Sequence, residues 1–297
     1  MFKGLCAFPL TPVTREGLDE KGFLRILQRL TTARVDSLGV LGSTGNYAYL
    51  TREQRKRIAL LAREYAEDIP VMICIGSVST DQVLHLADDA QQAGANALLL
   101  PAMTYQPLTD DEVYCLFETV TRYASVPVCV YDNPGTTHFT FSDELHRRIA
   151  ALPGICSVKI PGVPVGVEEI STRVNNLRKN LPTNVTIGIS GDAFAGQGLN
   201  AGCEVWYSVC GGLFPVTALA ITEAAAAGDK NSVTALTQRL SPLWALYRKH
   251  GGSIRVMAAA ADILGLVGND CLPRPLQPLS VSGRSEIARV IDELELA

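Results

Sequence analysis

Short apolar, β-branched segments alternate with helical patterns through the first three quarters of the sequence, and this alternation constrains the fold most. Eight segments have the length and composition of buried strands: Leu5–Phe8, Ser37–Leu41, Val71–Ile75, Ala97–Leu100, Val128–Tyr131, Ile155–Lys159, Val185–Ile189 and Glu204–Val209. Parallel strands need a crossover between them, so strands alternating with helices predict a parallel α/β sheet. Eight such units favour a closed (β/α)8 TIM barrel over an open doubly wound sheet.

Capping signals support the predicted helices. Thr51 opens a Thr-x-x-Gln capping box, and Thr109 precedes an acidic first turn. Beyond Gly228 the strand signal stops, and three helical patterns remain: Ser232–His250, Ser253–Leu266 and Glu286–Leu296. We therefore expect residues 1–226 to form the barrel and residues 227–297 to form a C-terminal helical domain.

The composition excludes several classes of function. With 47% hydrophobic and 19% charged residues the chain is a globular core-former, and its net charge of −4 with no basic run argues against nucleic-acid binding. No apolar run reaches membrane-spanning length, and Pro9 and Pro12 interrupt the apolar N-terminus, so we expect neither membrane association nor a signal peptide. The eight cysteines are scattered, several of them in strand-like segments, which indicates free thiols and a cytoplasmic protein.

The sixth predicted strand contains a lysine. Alternate strand side chains face opposite ways, so Ser157 and Lys159 lie together on the face opposite Val158. A buried, unpaired ammonium is costly, and an amine that has lost its proton is a nucleophile. The alternative is that Lys159 stands at a frayed strand end with its amine in solvent.

In a TIM barrel the catalytic residues lie at the C-terminal ends of the strands. Lys159 ends its strand, so this position favours the nucleophilic role over the solvent-exposed one. Residues 42–46 (Gly-Ser-Thr-Gly-Asn) follow the second strand, Tyr131 ends the fifth, and Ser190 follows the seventh. Tyr131 and Lys159 end adjacent strands on the lumen face, so we expect them to lie close enough to exchange a proton.

These residues suggest imine chemistry. A neutral lysine attacks a ketone or aldehyde to form a Schiff base, in which a neighbouring carbon–carbon bond can break or form. Tyr131 would carry protons with help from a hydroxyl such as Ser43, and the glycines of Gly42–Gly45 would let backbone amides approach a carboxylate. An ordinary βα turn at residues 42–45 and a core role for Tyr131 remain alternatives.

Taken together, these motifs resemble those of the dihydrodipicolinate synthase / N-acetylneuraminate lyase family. Gly42–Gly45, Tyr131–Pro134 and Lys159 carry the resemblance, supported by Phe8–Pro12, residues 190–192 and a tail that contains Ile-Leu-Gly-Leu and Pro-Arg-Pro-Leu. The resemblance implies a (β/α)8 barrel with a C-terminal helical domain, a homotetramer built as a dimer of dimers, and class I lyase or aldolase chemistry on pyruvate or a larger 2-oxo acid.

The resemblance also implies roles for individual residues. Lys159 would form the imine, Tyr131 would shuttle the proton and Ser43 would relay it, with no metal and no other cofactor. The substrate would contact further residues of the same motifs: Thr44, Gly42, Gly45, Tyr105, Thr136 and Ser190.

Four features depart from the family pattern. Asn46 stands where the family usually has Glu, Ile160-Pro161-Gly162 follows the lysine in place of an acidic residue, and Tyr105 is offset by a residue from a tyrosine that reaches a neighbouring subunit. Thr136 stands where true dihydrodipicolinate synthases carry an arginine that binds the semialdehyde carboxylate. An arginine can form two parallel hydrogen bonds with a carboxylate, and threonine cannot. The threonine therefore predicts a substrate other than that of dihydrodipicolinate synthase.

Two alternatives to an aldolase stay open at this point. One is a dehydratase or hydratase of 2-keto-3-deoxy sugar acids that uses the same imine, and the other is a non-catalytic paralogue that binds a 2-oxo acid. The four histidines are too dispersed for a zinc-dependent aldolase, and the Gly196–Ala201 match to a dinucleotide fingerprint lies at the wrong place in the repeat. Arg255, Arg274 and Asp262 are expected to be surface or interface charges.

Overall fold

The computed structural model describes residues 1–162 and 167–297, and it confirms the (β/α)8 barrel. Eight parallel strands form a closed sheet, and a two-stranded hairpin precedes the first helix. In chain order the strands are β1 (Gly4–Ala7), β2 (Val13–Thr14), β3 (Gly17–Leu18), β4 (Ser37–Val40), β5 (Val71–Cys74), β6 (Ala97–Pro101), β7 (Val128–Tyr131), β8 (Ile155–Ile160), β9 (Thr186–Ile189) and β10 (Val205–Ser208).

Helices surround the barrel and then extend beyond it. They are α1 (Glu20–Ala33), α2 (Arg52–Tyr65), α3 (Thr80–Gln92), α4 (Asp110–Tyr123), α5 (Pro134–Thr137), α6 (Asp143–Ala150), α7 (Val167–Asn180), α8 (Ala195–Asn200), α9 (Pro215–Ala226), α10 (Lys230–Arg239), α11 (Ser241–Lys249), α12 (Ser253–Ile263) and α13 (Val281–Glu293). The capping boxes at Thr51 and Thr109 are both formed.

The register of the barrel brings the candidate residues side by side. Sequence neighbours pair around the barrel, and β1 closes it against β4 through Cys6 opposite Ser37. Tyr131 of β7 lies opposite Lys159 of β8, and Lys159 lies opposite Gly188 of β9. The lysine is therefore held in a strand that is paired on both sides.

The structure differs from the predicted elements in three places. The final helix, predicted over 286–296, spans Val281–Glu293. The hairpin of β2 and β3 was not predicted, because each of its strands is only two residues long. The pattern over 232–250 is two helices, α10 and α11, with Leu240 between them and Pro242 in the first turn of α11. Proline lacks the N–H that a continuous helix needs and clashes with the preceding turn.

The interior is continuous from the lumen to the surrounding helices. Phe8, Trp206 and Tyr207 are buried in the barrel, and the large apolar side chains of α1, α2 and α4 pack around it. The eight cysteines are free, as predicted. In the described ranges 1–162 and 167–297, no helix is long and apolar enough to cross a membrane.

Candidate active site

A cavity of about 560 Å³ lies where the barrel strands end, and the helices after the barrel border it. Its floor comes from barrel strands and the segments that follow them, and includes Tyr131, Lys159 and Tyr207. Its roof includes Tyr247 from α11, Gly251 and Gly252, and residues 253–255 in the first turn of α12. Six candidates from the sequence line the cavity: Ser43, Thr44, Tyr131, Thr136, Lys159 and Ser190.

Lys159 lies at the floor and is surrounded by aromatic rings. Its side chain is 4% exposed, and its Nζ lies 3.8 Å from the ring centroid of Phe8, 4.3 Å from that of Tyr131 and 5.5 Å from that of Tyr207. Within the described residues, no carboxylate lies within 4.0 Å of this nitrogen. Ring faces attract cations, so the site can stabilise a positive charge at this nitrogen, including that of a protonated imine.

Two glycines make room for the rings. A Cβ at Gly188 would lie 2.3 Å from the Tyr207 ring, and a Cβ at Gly42 would lie 2.5 Å from the Phe8 ring. Neither distance is compatible with a side chain, so glycine at these positions lets the rings approach Lys159. Gly42 thus supports the floor, and it does not line the cavity itself.

The Tyr131 hydroxyl is held by two polar side chains. It lies 3.0 Å from the Ser43 hydroxyl, and the Asn133 amide donates to it at 2.9 Å. Ser43 in turn lies 3.4 Å from the hydroxyl of Thr136, whose side chain is exposed. The arrangement forms a short chain of hydroxyl groups that leads from the phenol toward solvent within a single subunit.

Tyr207 has a different environment from Tyr131. Its hydroxyl lies 2.6 Å from the Ser157 hydroxyl and accepts from the Cys129 thiol at 3.4 Å. Burial raises the pKa of Tyr207 well above its ordinary value. Its phenol therefore stays protonated and serves the packing of the floor, whereas the Tyr131 phenol has a route to solvent.

A buried polar network fixes the end of β7. Asp132 follows Tyr131 directly and is 2% exposed, and its Oδ2 lies 3.1 Å from Nε2 of the buried His146. The Arg173 guanidinium donates to the same oxygen at 3.3 Å. These contacts join α6 and α7 to the residue after Tyr131, so they restrict the position of the phenol.

Asp192 stands where floor and roof meet. Its carboxylate accepts from Trp206 Nε1 and Ser208 Oγ, each at 3.1 Å, and from the backbone amides of Val209 and Cys210 at 3.2 and 2.7 Å. Burial raises the pKa of Asp192 to about 6, and these hydrogen bonds oppose that shift. The carboxylate holds the end of β10 in place.

Three of the expected site residues lie outside the cavity lining: Gly42, Gly45 and Tyr105. Gly45 has no room for a Cβ, which would lie 2.9 Å from the backbone of Leu41 and Gly42, and Tyr105 is 88% exposed. Asn46 is buried, and its amide donates to the Thr11 carbonyl at 2.7 Å, so the departure from Glu affects the support of the loop and not the lining.

Other lining residues were not identified from the sequence. Asn133 belongs to the tyrosine motif, and its separation of two residues from Tyr131 was the available signal. Arg255 lines the cavity, so the expectation that it is a surface or interface charge was wrong. Ser253 lies 3.3 Å from the Thr44 hydroxyl and joins roof to floor. Only the packing of α11 and α12 against the barrel reveals these last two.

The described residues hold no group of three or more His, Cys, Asp or Glu side chains that is suited to a metal ion. His146 is buried, and its Nε2 lies 3.1 Å from the Asp132 carboxylate. What the cavity does offer is a buried amine, a phenol in a hydroxyl network and several further hydroxyl groups.

Residues 1–294 match the model of the dihydrodipicolinate synthetase family. The chain belongs to this family. It is 28% identical over 300 residues to the 4-hydroxy-tetrahydrodipicolinate synthase of Bartonella tribocorum, with 99% of this chain and 97% of the relative covered.

Solved structures of the family agree in fold. The crystal structure of a dihydrodipicolinate synthase from Agrobacterium tumefaciens is 43% identical, with a TM-score of 0.94 over 99% of this chain and 98% of that chain. The pyruvate complex of YagE from Escherichia coli is 24% identical, with a TM-score of 0.90 over the whole of both chains. The family comprises lyases of the Schiff-base pyruvate aldolase superfamily, which need no metal or other cofactor.

Proposed function

We propose that the protein is a metal-independent lyase of aldolase type that acts on pyruvate or a larger 2-oxo acid through an imine on Lys159. The observation that carries the proposal is the placement of the Lys159 amine: 4% exposed, against the Phe8 and Tyr131 rings, and inside a cavity. The pyruvate complex of a family member supports this choice of substrate class.

The proposed steps use the groups around Lys159. The neutral amine attacks the keto carbon, and the Tyr131 phenol gives a proton to the oxygen as the tetrahedral carbinolamine forms. The phenolate then takes a proton from the attached nitrogen and passes it to the new hydroxyl. This hydroxyl leaves as water, and the protonated imine that forms has its charge facing the aromatic rings. The imine accepts the electron pair of a breaking carbon–carbon bond, and it supplies a nucleophilic enamine in the condensation direction.

Ser43 and Asn133 hold the phenol in position for these transfers. Ser43 can accept the phenol proton while Asn133 donates to the phenol oxygen, so that the phenol can give up and regain a proton. Thr44, which is 5% exposed, and Ser190, which is 9% exposed, supply hydroxyls for the carboxylate of the 2-oxo acid. We infer that Thr136 extends the relay of Ser43 to solvent.

Dihydrodipicolinate synthesis itself is not the reaction that we propose. At position 136 a threonine hydroxyl stands in place of the guanidinium that binds the semialdehyde carboxylate in those enzymes.

We also propose a cytoplasmic homotetramer. The eight free thiols suit a reducing compartment, and an aromatic side chain as exposed as Tyr105 suits a subunit contact. Analytical ultracentrifugation and cell fractionation test these two proposals.

Trapping with borohydride tests the imine. Protein incubated with pyruvate and then reduced should gain one pyruvate-derived adduct, located on Lys159 by peptide mass spectrometry. Lys159→Arg keeps a cation but forms no such adduct, and we expect it to lose activity by at least about 10⁴-fold. Absence of an adduct with every 2-oxo acid tried would contradict the proposal and favour a non-catalytic paralogue.

Product analysis then identifies the reaction. Incubation with a 2-keto-3-deoxy sugar acid releases pyruvate if the carbon–carbon bond is cleaved. A product that retains all of its carbons and has lost water would instead identify a dehydratase that uses the same imine.

A further inference from the structure

The roof contributes a basic residue to the cavity. Arg255 lies in the first turn of α12, is half-buried and lines the same cavity as Lys159. The chain enters this helix through Gly251 and Gly252, whose φ angles of 69° and 124° favour glycine. The turn made possible by the glycines places residues 251–255 along the cavity.

The Arg255 guanidinium is not engaged elsewhere in the described part of the chain. No carboxylate of residues 1–162 or 167–297 pairs with it. Asp192, an acid that also lines the cavity, accepts four hydrogen bonds from the end of β10 and the residues beyond it. Within residues 1–162 and 167–297, the guanidinium of this lining residue, with its five N–H donors, therefore has no carboxylate acceptor.

The charges of the cavity suit a ligand with two anionic groups. One carboxylate of a 2-oxo acid stays close to Lys159 because it is bonded to the carbon that the amine attacks. Thr44 and Ser190 offer hydroxyls to it. Arg255 lines the same cavity, and Asn133 and Thr136 line it with neutral side chains.

We propose that Arg255 binds a carboxylate at the far end of the substrate, so that the enzyme selects 2-oxo acids that carry a second anionic group. This inference rests on the proposed imine chemistry at Lys159 and names the substrate class for that site. The guanidinium forms two parallel hydrogen bonds with a carboxylate, which gives both affinity and orientation. The distal carboxylate would thus be bound by a residue of α12, outside the barrel.

A pair of ligands that differ in one charge tests the inference. 2-Oxoglutarate and 5-methyl-2-oxohexanoate share the keto acid and have nearly the same size, but only the first has a distal carboxylate. Each is mixed with pyruvate before borohydride reduction, and the ratio of each adduct to the pyruvate adduct on Lys159 is measured by mass spectrometry. Wild-type protein should favour the dicarboxylate over the monocarboxylate by about ten- to a hundredfold, and Arg255→Met should abolish this preference.

Arg248→Met is the matched control, because Arg248 is an exposed arginine of α11 that does not line the cavity. It should keep the wild-type preference. Arg255→Lys keeps the charge without the planar fork and should retain part of the preference, which separates a charge contact from a folding defect. Thermal unfolding of all three variants checks that they are folded.

Calorimetric titration of the same two ligands separates this inference from the proposed function. Tighter binding of the dicarboxylate that depends on Arg255, in protein that gives no adduct, contradicts the imine and supports the anion site. Adducts on Lys159 with no preference for the dicarboxylate, or with a preference that survives Arg255→Met, overturn the anion site and leave the imine in place.

Discussion

The floor and the roof of the cavity carry one basic residue each, and the two are supported differently. Lys159 stands in a strand that is paired on both sides, and it is 4% exposed. Arg255 stands in the first turn of a helix that follows two glycines with positive φ, and it is half-buried. A strand inside a closed barrel holds its side chains more rigidly than a helix terminus after a glycine loop does.

This difference suits the two roles that we propose for these residues. Imine formation needs an amine held within a fraction of an ångström beside its proton donor, and the adjacent register of Tyr131 and Lys159 provides this. Recognition of the far end of a substrate tolerates adjustment. The floor can therefore serve many substrates of one chemistry, whereas the roof can change the substrate without disturbing that chemistry.

The largest expected effect separates the two tyrosines of the floor. Tyr131→Phe removes the hydroxyl that contacts Ser43 and Asn133, and we expect kcat to fall by about 10²–10⁴-fold, because the proton transfers lose their acid and base. Tyr207→Phe removes a hydroxyl that contacts Ser157 and Cys129. It should mainly lower the free energy of unfolding, by about 1–2 kcal/mol.

Steady-state kinetics and urea unfolding of both variants measure this contrast. Equal losses of kcat in the two variants would show that the hydroxyl chain through Ser43 has no special role. The floor would then act as a single aromatic unit.

The next effect concerns the junction of floor and roof. Because burial raises the pKa of Asp192 from 3.8 to about 6, the folded state holds this proton more tightly than the unfolded state does. The resulting stability is fully present below about pH 4 and is lost as the pH rises to about 6, a change of about 3 kcal/mol. In Asp192→Asn, the free energy of unfolding should therefore no longer show this decrease between about pH 4 and about pH 6.

Asp229→Asn is the control for this measurement. Hydrogen bonds from Ser232 lower the pKa of Asp229, so its contribution to stability is present above its unfolded pKa and is lost as the pH falls. Its removal should change the slope in the opposite direction. An unchanged slope between pH 4 and 6 in Asp192→Asn would contradict the raised pKa.

The smallest effect tests the contact between roof and floor. The hydroxyls of Thr44 and Ser253 lie 3.3 Å apart. A double-mutant cycle of Thr44→Val and Ser253→Ala should give a coupling energy of about 0.5–1.5 kcal/mol in urea unfolding. Additive effects would mean that the roof lies over the floor without being joined to it by this hydrogen bond.

The fold and the floor followed from sequence patterns because their causes are local and periodic. Each of the eight barrel strands lies within about one residue of its predicted position, since apolar runs bounded by turns mark buried strands. The proximity of Tyr131 and Lys159 followed from the two-residue strand period and from parallel pairing. The hairpin of β2 and β3 was not predicted, because strands of two residues are too short to show an alternation of apolar and polar side chains.

The sequence by itself determined the barrel, the amine and the phenol, because strand periodicity acts along the chain and a parallel barrel gathers its strand ends. Only the tertiary structure decided that Gly42 accommodates the Phe8 ring, that Tyr105 lies outside the cavity lining and that Arg255 lies on it. The position of Arg255 depends on how α11 and α12 pack over the barrel. Such packing joins residues about 100 positions apart, and no local pattern encodes it.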